Sequence, residues 1–242
     1  LHADRCDIYT DVDGVYTTDP RIVPAAKRLG KISFESMLEL ASQGAKVLPT
    51  GCVELAMVHR VRLQVRSSFE PPEGAPERAG TLVCDEEDIV EKHVVIGIAY
   101  AKDEAKVTLL GLADKPGVAA NVFGPLADAN INVDMIVQNV SDDGSTTDLT
   151  FTIQETHLDR TLAVLEKAQD QIGFKKISGS TDIVKVSVIG VGMRSHAGVA
   201  AKMFKALAEK GINIEAISTS EIKISILIES AYAELAIRTL HT

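Results

Sequence analysis

Tryptophan is absent from the 242-residue chain, and aromatic residues make up only 4% of it. Surfaces for single-stranded nucleic acid are built from stacking rings, so this scarcity argues against one. No run of Lys and Arg occurs either, and the formal net charge is -9. A binder of the phosphate backbone carries a basic face, so no nucleic-acid partner is expected. The acidity leaves room for a nucleotide site, which needs only a few local groups. Cys6, Cys52 and Cys84 are odd in number and far apart, with no CxxC pair. That argues against a disulfide framework or a structural zinc site and suits a reduced, cytoplasmic setting. No apolar run approaches the ~20 residues that span a bilayer, so no membrane partner is expected. The chain opens with charge at Asp4, Arg5 and Asp7 rather than with a signal-peptide pattern. Its first residue is Leu1, not Met, as in a fragment or a processed chain.

What is present is a hydrophobic share of 45%, enough for a folded core. The length suits one large domain or two to three small ones. Residues 1–69 hold two strand-like runs around a helical stretch, with a helix expected over 33–42. Residues 70–92 read as a linker: Pro, Gly and Glu at the density of Glu70 to Pro76 cannot bury enough apolar surface to order themselves. A short strand at 80–84 and an acidic run at 85–88 complete it.

From residue 93 the informative feature is an internal repeat. VTLLG at 107–111 matches VSVIG at 186–190, and PGVAA at 116–120 matches AGVAA at 197–201. Phe123, Leu126 and Ala127 match Phe204, Leu207 and Ala208, and INV at 131–133 matches INI at 212–214. Self-similarity of this length marks duplicated structural units. In each copy a β-branched alternating run reads as a strand (106–110; 185–189). A helix follows, with Val118, Val122, Phe123 and Leu126 on one face, repeated as Val199, Met203, Phe204 and Leu207. Phe123, Phe204, Met135 and Met203 read as core. Gly211 stands where a helix C-cap is expected. Further strands (133–137, 148–153; 214–218, 223–228) and a last helix (158–169; 232–240) complete a βαββαβ, ferredoxin-like pattern. The first copy ends in a strand near 174–178; the second lacks one. The strand at 94–100, ahead of the first copy, is expected to complete the second unit. The fold class is α+β, with units at 93–181 and 182–242.

The turn before each first helix is a candidate ligand site. Asp114 and Ser195 are N-cap candidates, Pro116 suits a first helical position, and Gly117 lets a ligand approach the backbone. The spare N–H groups of a helix N-terminus hold a carboxylate. A free amino acid also needs acceptors for its ammonium and polar groups for its side chain. Asn132, Gln138 and Asn139 in the first unit, and Asn213, Thr219, Ser220 and Glu221 in the second, are placed to supply them. The plainer roles are caps for Asp114 and Ser195, turns for Asn132 and Asn213, and a surface turn for His196. Asp134 and Glu215 read equally as solvent-facing or ligand-binding.

With DKPGVAA at 114–120, SHAGVAA at 195–201, NINVDMIVQN at 130–139 and GINIEAISTSEIKIS at 211–225, the repeat resembles the tandem ACT domains of bacterial aspartate kinases. The likeness runs over essentially all of 93–242. IYTDVDGVYTTDPR at 8–21 resembles the nucleotide-binding segment of the same enzymes and of the wider amino-acid kinase family. Residues 1–69 are then the end of an α/β amino-acid-kinase domain. By this resemblance Thr10, Asp11, Tyr16, Arg21, Lys46 and Val47 contact ATP. From the residues alone, Arg21 offers a planar fork for phosphate oxygens and Tyr16 a ring to pack on a nucleotide. The family shows a Gln or His, then an Arg, where this chain has Pro49 to Cys52.

The resemblance implies ATP-dependent phosphorylation of the aspartate side-chain carboxylate, with Mg in the full-length enzyme. This opens lysine, threonine and methionine synthesis. The family's Lys-Phe-Gly-Gly phosphate loop and aspartate site are not in this sequence. No catalytic residue and no metal ligand is therefore expected here, and the chain alone is not expected to catalyse. Its implied role is feedback sensing of L-threonine and/or L-lysine, in a homodimer or hetero-oligomer joined through ACT units. The candidate effector positions are Asp114, Pro116, Gly117, Val118, Ala119, Asn132, Gln138 and Asn139, with Ser195, Val199, Asn213, Ile214, Thr219, Ser220 and Glu221. Threonine is favoured at Asp114, Gly117, Gln138, Asn213 and Ile214, with lysine at the pseudo-equivalent site. The alternative is a non-catalytic amino-acid-binding or dimerisation module.

Overall fold

A computed structural model describes residues 3–69, 80–89, 94–190 and 198–241. The N-terminal layer is a four-stranded sheet in the order β1-β3-β4-β2. It comprises β1 (Arg5–Thr10), β2 (Lys31–Ser33), helices α1 (Phe34–Ser42) and α2 (Thr50–His59), β3 (Arg62–Ser67) and β4 (Thr81–Cys84). The Ser33 hydroxyl caps α1 by accepting from the Ser36 amide at 3.2 Å. Phe34, Met37 and Leu40 then recur on one helical face and are buried against this sheet.

Two expectations change here. A second helix, α2, was not expected. Cys52, Val53, Leu55, Ala56, Met57 and Val58 are apolar all round it, so no periodic face stands out. Only Val53 and Ala56 are buried, while Val58 stays 77% exposed. The strand expected at 80–84 within the linker is present as β4, but it is built into the N-terminal sheet. β4 runs parallel to β2 and antiparallel to β3, and Thr81, Val83 and Cys84 are fully buried. The four residues of β4 carry enough apolar surface to take an interior place. The Pro-rich stretch 70–79 lies outside the described residues.

The first repeat unit consists of β6 (Glu104–Ala113), α3 (Val118–Asp128), β7 (Val133–Val140), β8 (Thr146–Gln154), α4 (Leu158–Lys167), α5 (Gln169–Ile172) and β9 (Lys176–Ser180), preceded by β5 (Gly97–Ala101). Its sheet order is β7-β8-β6-β9, antiparallel throughout. Val107, Leu109, Leu149 and Phe151 pack with Val118, Val122, Leu126 and Leu165 of the helices. The second unit is β10 (Ile183–Ile189), α6 (Gly198–Glu209), β11 (Ala216–Thr219), β12 (Lys223–Glu229) and α7 (Ala233–His241). β5 pairs antiparallel with β10, setting Ile98 opposite Val188, in the order β11-β12-β10-β5. The first unit is thus inserted between two neighbouring strands of the second. Gly211, at φ +68°, ends α6 by a left-handed turn, and Asn130, at φ +53°, does so after α3.

Strand β10 is buried at all seven positions. Val184, Val186 and Val188 face α6 and α7 in the second unit's core. The alternate residues face the other way and meet two different neighbours. Ile183 joins Met135 of the first unit, with Ala216 and Leu227. Lys185 pairs with Glu104 and Asp134 of the β5-to-β7 region. Ser187 donates to Gln43 of the α1 end at 3.0 Å, and Ile189 enters the N-terminal core. Asp134 and Glu215 keep part of their side chains in water, at 49% and 26% exposed, but each is also ion-paired. They hold repeat-equivalent lysines of the opposite unit, Asp134 with Lys185 and Glu215 with Lys106. The exchange of equivalent partners is the mark of a two-fold arrangement, here between two halves of one chain.

Candidate nucleotide segment and effector grooves

Thr10 ends β1, and its hydroxyl donates to Asp11 at 3.1 Å. β1 and β3 are parallel, and in open α/β sheets ligands sit beyond the carboxyl ends of such strands. The chain then turns through Asp13 to Tyr16. The Val15 amide donates to Thr81 Oγ1 at 2.8 Å, and that hydroxyl donates to Leu29 O at 2.6 Å, which fastens the turn to β4. Tyr16 donates to Asp13 at 3.0 Å, and Asp13 also takes Arg28 at 2.9 Å. Burial first, and then Asp13, raise the Tyr16 pKa, so the phenol keeps its proton at neutral pH.

Arg21 sits on an arm beyond this turn. Asp19 takes the Arg21 amide at 2.9 Å, Nε at 3.0 Å and Nη2 at 2.8 Å, and Arg21 holds the Asp19 pKa below its ordinary value. The Arg21 side chain is nevertheless 87% exposed. Asp11 also acts on it electrostatically, and Thr10 and Asp11 stand at the carboxyl end of β1. A half-neutralised, exposed guanidinium fits a phosphate oxygen. Lys46 lies apart: it is exposed and 3.8 Å from Asp103 in the β5–β6 turn. Val47 packs against the N-terminal core. Among the described residues no group of three or more His, Cys, Asp or Glu side chains is placed to hold a metal ion. Sequence reading missed Asp13, Asp19, Arg28 and Thr81. The first two lie inside the quoted segment, but only the fold brings Arg28 and Thr81 to it.

The effector candidates occupy the rims of the two repeat units. Asp114 is not the cap of α3, nor is Pro116 its first residue. Gly117, at φ +94°, is the N-cap and no side chain caps the helix. Asp114 is one residue past β6, where its amide donates to Ser145 O at 3.1 Å in the β7–β8 turn. That geometry leaves the Asp114 carboxylate exposed. Val118 is buried in the core of the first unit, while Ala119 is exposed. Gln138 and Asn139 are exposed on the edge strand β7. Asn132 lines a groove of about 460 Å³ with Phe123, Ala127, Asn130 and Ile136, between α3 and that edge. In the second unit Asn213 is exposed and Ile214 partly buried ahead of β11. Thr219, Ser220 and Glu221 form the exposed tip of the β11–β12 hairpin, closed by Ser220 N to Lys223 O at 2.9 Å. Val199 lines a groove of about 590 Å³ with Val95, Lys202, Met203 and Leu240. Ser195 and His196 lie outside the described residues. Phe123 and Phe204 pack on the edges of their cores, and Met135 and Met203 are buried. No helix among the described residues is long and apolar enough to cross a membrane.

Family models agree with this division: the amino acid kinase family matches residues 1–67, and the ACT domain matches 106–170 and 186–242. An aspartate kinase of Pseudomonas fluorescens is 55% identical over 243 residues, covering 100% of this chain and 57% of the relative. The chain thus spans little more than half the length of such relatives. A crystal structure of aspartokinase alpha and beta subunits matches with 53% identity and TM-score 0.57, over 61% of this chain and 96% of that one. E. coli aspartokinase III with aspartate and ADP, in the R-state, matches at 31% identity and TM-score 0.83, over 99% of this chain and 52% of that one. The same enzyme with lysine and aspartate, in the T-state, gives a TM-score of 0.77 over the same spans.

Proposed function

We propose, from the premise that this chain belongs to the aspartate kinase family, that it is the feedback-sensing part of an enzyme that phosphorylates L-aspartate. The whole enzyme would transfer the γ-phosphoryl group of ATP to the side-chain carboxylate, giving ADP and 4-phospho-L-aspartate, in the cytoplasm, at the head of lysine, threonine and methionine synthesis. ATP, with its Mg, supplies the phosphoryl group. This chain supplies the Thr10, Asp11, Tyr16 and Arg21 side of its site, with Lys46 and Val47 at the margin. Phosphoryl transfer depends chiefly on positioning and charge stabilisation, and the repeat units would act on it through the layer that carries these residues.

The observation that carries this reading is strand β10. One face of it touches the first unit at Ile183 and Lys185 and the N-terminal layer at Ser187 and Ile189. A shift between the repeat units is thereby joined to the layer that bears the nucleotide segment. An effector acts only if it prefers one arrangement of such a joint. L-threonine, with L-lysine as the second choice, would bind where Asp114, Gly117 and Gln138 of one unit meet Asn213 and Ile214 of another. The complex of E. coli aspartokinase III with lysine supports an effector of that class. Pairing between chains is supported by the edge strands β7 and β11, which expose Ile136, Val140 and Ile217.

Isothermal titration of the chain with each amino acid tests this. Gln138→Ala is expected to weaken effector binding about tenfold, the loss from one unmade hydrogen bond to a charged group, without moving the melting temperature. Unchanged binding would remove Gln138 from the site. A chain that binds an amino acid but no nucleotide would favour the non-catalytic module.

A further inference from the structure

The arm that carries Arg21 is built into the second repeat unit rather than into the N-terminal sheet. Ile22 and Val23, each 7% exposed, belong to the core of that unit, and Ala26 packs against it. Helix α7 grips the arm from one side: Arg238 Nε donates to Ile22 O at 3.0 Å, and Thr17 Oγ1 shares a 2.8 Å hydrogen bond with His241 Nε2. Strand β5 grips it from the other. The Ile98 amide donates to Thr17 O at 2.7 Å, and the Tyr100 hydroxyl donates to Asp19 Oδ2 at 3.1 Å. Asp19 is the residue that takes the Arg21 amide, Nε and Nη2. Its carbonyl also accepts from the Ile22 and Val23 amides, at 3.0 and 2.9 Å.

We propose that the second repeat unit positions the nucleotide-contacting Arg21, with Tyr100 as the positioning residue acting through Asp19. The nucleotide part of this rests on the reading of residues 8–21 given above. The physical reason is order. An arginine on a free loop must lose its side-chain freedom when it meets a phosphate. Here the Asp19 fork fixes the guanidinium beforehand, and Tyr100 fixes Asp19. Burial first, and then Asp19, raise the Tyr100 pKa, so the phenol remains a donor at neutral pH. The sensor is therefore part of the nucleotide site, and β5, paired with β10, links that arm to the strand that touches the first unit.

Two measurements on Tyr100→Phe test this. Native-state amide exchange at Arg21, Ile22 and Val23 is expected to rise about tenfold, the effect of losing one hydrogen bond to a charged acceptor; Tyr9→Phe, at an exposed site, serves as the control. MgATP affinity is expected to fall about tenfold in Tyr100→Phe and in Arg21→Ala, and the double variant is expected to be no weaker than Arg21→Ala alone. Unchanged exchange in Tyr100→Phe would overturn the positioning role. So would full nucleotide affinity in Tyr100→Phe beside a loss in Arg21→Ala. Faster exchange in Tyr100→Phe with no effect of Arg21→Ala on MgATP would leave the arm's attachment standing and refute the nucleotide reading instead.

Discussion

Replacing Lys185 by Met is expected to lower the unfolding free energy by about 3 kcal/mol, the lower end for breaking a buried ion pair. For a chain of this size that is a fall of roughly 10 °C in melting temperature. The Lys185 side chain is 2% exposed and Glu104 is 12% exposed, so removing the ammonium strands a desolvated carboxylate. Asp134, at 49% exposed, is screened by water and adds little. Adding Glu104→Leu should recover most of the loss, because an apolar replacement of a buried pair is close to neutral. The pH dependence carries the same signature. Burial lowers the Lys185 pKa, and Glu104 and Asp134 more than reverse that, so the net shift is upward. A pKa raised on folding contributes stability that is complete below the unfolded value, about 10.4. That contribution is lost as pH rises through the folded value. Urea melts of Lys185→Met should therefore lose less stability on raising the pH past that point than wild type does. A loss below about 1 kcal/mol at neutral pH would show the site to behave as a surface pair.

Gly44→Ala should be about as damaging, by a different route. Gly44 closes the turn after α1 at φ +111°, and a Cβ there would lie 2.1 Å from the Tyr100 carbonyl oxygen. Backbone strain of about 1–3 kcal/mol adds to an overlap that only a retreat of α1 from β5 relieves. The sum is a loss of about 3 kcal/mol, read from chemical denaturation. Gly51→Ala is the internal contrast. Gly51 lies in the first turn of α2 and nothing stands within 4 Å of its Cβ position. Alanine there should stabilise by about 0.5–1 kcal/mol through helix propensity. Equal effects at the two positions would mean that the α1–β5 contact is not tight.

The contrast between legible and hidden features follows from how each is encoded. The repeat showed both units because each pairs a period-2 strand with a 3.6-period helix twice over. Val118, Val122 and Leu126, and Met203 and Leu207, are buried as their spacing indicated. α2 is hidden because its apolar residues surround it, whereas β4 is legible as a strand, and only its interior place in the sheet depends on topology. The Asp114 cap failed for a local reason: Gly117 turns the chain one step before the helix and leaves Asp114 on the far side of that turn. Lys185 sits in an alternating strand and reads as an exposed position. Its burial comes from covering the sheet's second face, which no local pattern records. The nucleotide segment was legible as a motif, but its supports Thr81, Tyr100, Arg238 and His241 are between about 60 and 220 residues away along the chain and depend on topology alone.

The most direct test is the melting temperature of this chain titrated with L-threonine, with L-lysine and with both together. A ligand that binds only the folded state adds about 2.7 kcal/mol at a hundredfold excess over its dissociation constant. A saturable rise of roughly 5–10 °C is therefore expected with at least one of the two amino acids, and none with its D-enantiomer. A melting temperature unmoved by either L-amino acid at millimolar concentration would contradict the sensor role.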